Sequence, residues 1–189
     1  MKQKKSQTLR RETLRKEYWP KDIHYEGFEG TGYFCAPRTL PLLLCALNSK
    51  EISDRKNPSS VYLELLSRHI DEGIVEMVQE TEHAFSAGYP GERGRRSWRE
   101  RMNLLLKFGV IKAVERGGLS FGTVLLVHPT LVFEDLRKKG KVDDAIWNTY
   151  LARAIDIKAP NADAIRKKDK EARAAGKLMK PPAYLKGAK

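Results

Sequence analysis

RGRRSWRERMNLLLKFGVIKAVERGGLSFGTVLLV, residues 93–127, decides the fold. Its first part reads as a helix, because Trp98, Met102, Leu105 and Leu106 recur at helical spacing and supply one apolar face. Gly109 stops it, Ser97 is the expected N-cap with Glu100 three residues on, and Lys107 sits at the end that favours positive charge. Arg95, Arg96, Arg99 and Asn103 are left to face outward. Beyond Gly109, Val110–Arg116 and Phe121–Val127 are β-prone, and Gly117-Gly118 is the tight turn that joins them. A basic helix therefore runs straight into a two-stranded ribbon. Between Arg93 and Arg116 eight Lys or Arg stand against two Glu, about half of the formal net charge of +12.

Upstream, NPSSVYLELLSRHIDEGIVEM opens with Ser59 or Ser60 in cap position and repeats Val61, Leu65, Leu66, His69 and Ile70 at helical spacing. Ile74–Met77 then reads as a short strand or the start of the next element, and Gln79–Ala87 as a short helix. Taken with the basic helix and ribbon, residues 58–128 resemble a winged helix-turn-helix domain. The resemblance implies a fold that is mainly α with a small β-hairpin. Ser60–Glu72, Gln79–Ala87 and Ser97–Lys107 would be its three helices, and Ile111–Val127 its wing, with the tip at Arg116–Ser120. It further implies that the third helix enters the major groove of double-stranded DNA while the wing lies on the backbone. The site residues so implied are Arg93, Arg95, Arg96, Ser97, Arg99, Asn103, Lys107 and Arg116. Arginine suits guanine or phosphate through its planar fork, and asparagine suits adenine. One departure stands out: the turn before the third helix, Gly88–Arg96, is longer than the three or four residues usual in such domains.

The rest of the chain flanks this unit. Residues 1–21 form a basic arm, and 22–57 an aromatic and glycine-rich lead-in followed by an apolar helix from Pro37 to Leu47. Residues 129–157 hold two helices, at 130–139 and 141–157, and 158–189 form a basic tail, helical or disordered. The second of those helices is apolar through Val142, Ile146, Trp147, Tyr150, Leu151, Ala154 and Ile155, which makes it the main candidate surface for a homodimer, with the apolar helix at 37–47 as the second candidate. Its competitor is a fold-back that completes a larger monomeric core. The arm and the tail are strongly basic while residues 22–157 are near neutral, and a pI near 9.7 favours polyanionic partners.

Other chemistries find little support. YEGFEGTGYF has three glycines but no phosphate-loop ending, and no serine or cysteine sits in a nucleophile motif. Adjacent carboxylates such as Asp143-Asp144 diverge by roughly 100° on a helix, poor geometry for one ion. No enzyme activity, cofactor or metal is therefore expected. Cys35 and Cys45 fit two half-buried thiols in a reducing compartment, and Thr39–Leu47 is too short to span a bilayer, so a cytoplasmic location without membrane attachment is expected. The expected function is a duplex-DNA-binding transcriptional or replication regulator. An RNA- or ribosome-associated structural protein, or a winged-helix protein adaptor, is the alternative.

Overall fold

The structure is a computed structural model that describes residues 34, 36–69 and 73–174. The expected basic arm, the aromatic lead-in through Tyr33, Cys35 and the end of the tail beyond residue 174 lie outside the described residues. Within them the chain is mostly helical, with eight helices and one three-stranded antiparallel sheet. In order these are α1 (Leu40–Leu47), α2 (Lys50–Ser53), α3 (Ser59–Arg68), β1 (Ile74–Glu76), α4 (Glu80–Ser86), α5 (Glu92–Lys107), β2 (Ile111–Arg116), β3 (Leu119–Leu126), α6 (Pro129–Lys138), α7 (Asp144–Asp156) and α8 (Ala162–Ala174).

The hairpin forms as its sequence dictates. Gly117 and Gly118 both adopt positive φ, the geometry that a two-residue turn between twisted strands requires. What the spacing left open is the third strand. β1 pairs antiparallel with β3, so the order is β1-β3-β2 and β3 is central. To admit β1, α3 ends at Arg68 rather than at Glu72, and Gly73 accepts a backbone hydrogen bond from Leu126 at 2.8 Å. Neither Ser59 nor Ser60 is the N-cap of α3; Pro58 holds that position. The Ser59 hydroxyl instead bonds the Leu44 carbonyl at 2.9 Å and Asn48 Oδ1 at 2.6 Å, tying α3 to the end of α1.

One core runs through the described residues. Trp98, Met102 and Leu105 of α5 are fully buried with Val61, Tyr62 and Leu65 of α3, Ile111 of β2 and Val124 of β3. The same core continues into α1 and the C-terminal helices through Leu43, Leu47, Phe133 and Leu136. Phe133 stacks on Tyr150 at 4.2 Å and on Trp147 at 5.9 Å, so the apolar stripe of α7 is used largely within its own chain. Only Leu151 and Ile155 of that stripe are exposed. The basic segment after Ala159 is helical as far as Ala174: Ala162 is buried and donates its N–H to Glu134, and Arg166 bonds Asp135.

α6 and α7 carry side-chain caps. The Asp143 carboxylate accepts the Ile146 N–H at 2.8 Å, and His128 Nδ1 accepts the Thr130 N–H at 3.2 Å. Burial lowers the pKa of His128 below its ordinary 6.5, and the ring can accept at Nδ1 only while that nitrogen is unprotonated. The unfolded chain therefore takes up the proton first as pH falls. The stabilisation is complete above about pH 6.5 and is lost as pH falls through the lower folded-state value. His128→Asn keeps an acceptor that does not titrate. Its melting temperature should fall less than that of the native chain between about pH 7.5 and 5; parallel losses would rule His128 out as the cause.

Candidate nucleic-acid interface

α5 is longer at its start than its sequence suggests. It begins at Glu92, preceded by Gly91 at φ 79°, and Glu92 places a carboxylate in the first turn where the helix dipole favours it. Ser97 is thus not the N-cap; it lies inside the helix, and its carbonyl accepts from Arg101 Nη1 at 2.7 Å. Most of the expected loop Gly88–Arg96 is helix. The turn between α4 and α5 shrinks to Ala87–Gly91. Gly94 permits this tight approach, since a Cβ there would stand 1.9 Å from the Tyr89 carbonyl oxygen.

With Gly94, Trp98, Met102 and Leu105 turned inward, the opposite face of α5 carries Arg93, Arg96, Glu100, Asn103 and Lys107 at spacings of three and four. Arg93, Arg95, Arg96, Asn103 and Lys107 are exposed. Arg93 and Arg95 make no hydrogen bond or ion pair with another described residue. Arg96 stands 3.6 Å from Glu100 and is 86 % exposed.

The remaining arginines are held by the fold. Arg99, expected to face outward, donates from Nε to Glu80 Oε2 at 2.8 Å, and the Glu80 side chain is only 2 % exposed. It clamps the start of α4 to α5. Arg101 lies over the Tyr89 ring at 4.4 Å and donates to the Asn57 carbonyl at 3.2 Å. Arg116 bonds Glu76 of β1 at 2.8 Å, which ties the end of β2 across the sheet to β1. Near that end two more residues of β3 than of β2 lie between the pairs Val114–Thr123 and Arg116–Leu119, and Gly122 sits in the resulting bulge. A Cβ at Gly122 would meet Arg116 backbone at 2.5 Å.

Sequence reasoning missed the neighbours of the stripe. Lys56, from the loop before α3, reaches Glu100 at 3.3 Å, and Tyr89 donates to the same Asn57 carbonyl that Arg101 uses. That loop turns through two positive-φ residues, Asp54 and Arg55, which no spacing signals. His83 is buried and bonds Glu64 at 3.0 Å, while Arg68 bonds Glu64, Glu82 and Ser86. This cluster locks α3 to α4. The Arg68 guanidinium holds the Glu82 carboxyl below its usual range. Cys45 is exposed rather than half-buried. Among the described residues no three His, Cys, Asp or Glu gather as metal ligands, and no helix is long and apolar enough to cross a membrane.

No protein-family model, curated protein or solved structure matches this chain.

Three substitutions separate the residues that hold α5 in place from an exposed arginine. Arg99→Ala leaves a buried carboxylate without its cation and should cost about 1–3 kcal/mol of stability, discounted because Arg99 is itself partly exposed. Gly94→Ala should also destabilise, since helix propensity gains at most about 1 kcal/mol and the clash with Tyr89 outweighs it. Arg95→Ala should leave the melt unchanged. Denaturant unfolding of the three variants checks the order.

Proposed function

We propose that the chain binds double-stranded DNA through a winged helix-turn-helix unit and acts as a transcriptional or replication regulator. The observation that carries this reading is the order α3-β1-α4-α5-β2-β3, with β3 central, joined to a third helix whose outward stripe holds Arg93, Arg96, Asn103 and Lys107. A helix that is apolar on one side and cationic on the other suits the major groove. Arg93 and Arg95 near the helix start suit phosphate, where the free N–H groups and dipole add to their charge. Lys112, exposed on β2, adds a cation to the hairpin that would meet the backbone. Arg99 and Arg116 support the geometry of the face more than they contact the ligand. For a homodimer through α7 the stripe leaves Leu151 and Ile155 exposed, and sedimentation equilibrium decides its existence.

The test compares duplex DNA, duplex RNA and single strands at physiological salt. Duplex DNA should bind most tightly, with log affinity falling linearly in log salt. Arg93→Ala, Arg95→Ala and Arg96→Ala combined should make that slope shallower by about one unit per lost phosphate contact, without changing the melt. Asn103→Ala should relax preference at one or two base pairs only. Preference for RNA, or unchanged affinity in the triple variant, would overturn the reading.

A further inference from the structure

Glu100 is an anomaly on this face. It sits at the centre of the stripe Arg93, Arg96, Asn103, Lys107, where a polyanion would repel a carboxylate. Folding gives it little reason to be there. Its partner Arg96 precedes it by four residues, the less favourable order for a helical ion pair, and the 3.6 Å contact is loose and exposed. Lys56 approaches the other carboxylate oxygen at 3.3 Å and is itself about half exposed. The carboxylate is thus bracketed, Oε1 by Arg96 and Oε2 by Lys56, with the Glu100 side chain still 37 % open to solvent.

We infer that Arg96 and Glu100 together read one G·C base pair, with Lys56 positioning the carboxylate. The inference rests on the duplex-DNA reading above. In the major groove a G·C pair presents two acceptors on guanine, N7 and O6, followed by the N4 amino donor of cytosine. A guanidinium beside a carboxylate offers the complement: two donors, then an acceptor. An A·T pair mismatches it, because adenine N7 and thymine O4 flank its single amino group with acceptors that repel a carboxylate. The bracketing cations offset the repulsion from neighbouring phosphates, so the carboxylate can approach the amino group without being expelled from the groove. Glu100 thereby sets specificity at the expense of affinity.

Selection of bound duplexes from a random pool tests this, using the full chain and its Glu100→Gln, Glu100→Ala, Arg96→Ala and Lys56→Ala variants, each first shown to melt like the native chain. The native chain should select a motif with one G·C pair at which Glu100→Ala and Arg96→Ala both relax preference by about tenfold or more. Glu100→Gln should shift the preferred letter from cytosine toward adenine at that position, since an amide pairs with adenine N6 and N7. Lys56→Ala should weaken the same preference less. Glu100→Ala should also raise affinity for unrelated duplexes. If the native chain selects a motif that the Glu100 variants leave intact, the inference is overturned while the DNA reading stands. If the native chain selects no motif, or binds no duplex, the inference falls, and in the latter case the DNA reading falls with it.

Discussion

Everything on the outward face of α5 depends on the burial of Trp98 on its inward face. The indole is fully buried, meets Phe121 of β3 edge-on at 5.7 Å, and lies 6.3 Å from the His83 ring of α4. One side chain thereby fixes α5 against both the sheet and the preceding helix. Transfer of an indole from water is worth on the order of 4–6 kcal/mol as an upper bound, which few exposed contacts could match. The indole N–H has no hydrogen-bond partner among the described residues, so the anchor is one of shape and aromatic contact. Because the helix cannot rotate without withdrawing Trp98, the direction of Arg93, Arg96, Asn103 and Lys107 is set from the core.

Charge is divided between two tasks around this anchor. Arg68, Arg99, Arg101 and Arg116 are bound to carboxylates, carbonyls or a ring and join elements that are distant in sequence. Arg93, Arg95 and Lys107 carry no ion pair with a described residue and stand exposed. A count of basic residues therefore overstates what α5 has available for a ligand. Conversely, the cluster of Glu64, His83, Arg68 and Glu82 joins α3 to α4 through polar groups that satisfy one another.

The sequence made the helical and hairpin elements legible because their signals are local. Trp98, Met102 and Leu105 repeat within a few turns, and Gly117-Gly118 allows one tight turn. The start of α5 was hidden by Gly94, which reads as a loop residue until its closeness to Tyr89 is known. β1 was only half legible, since three residues carry too little alternation to name a strand, let alone its partner. The pairs Glu80–Arg99, Lys56–Glu100 and Glu76–Arg116 were not legible at all. Each spans a long stretch of chain, and no periodicity connects its members. Thus the inward face of α5 could be read in sequence, but not which of its cations the fold had already engaged.

The placement of the two described tryptophans has an optical consequence. Trp98 is sealed beneath α5, whereas Trp147 is half-buried between Phe133, Tyr150 and the Arg137 guanidinium. Their fluorescence should differ in emission maximum and in access to a soluble quencher, so each reports on a different part of the chain. Trp98 is on the side of α5 opposite the exposed cations, out of reach of anything laid across them. A change in its emission on adding a ligand would signal displacement of the helix itself, separating adjustment of the protein from mere occupancy of its surface.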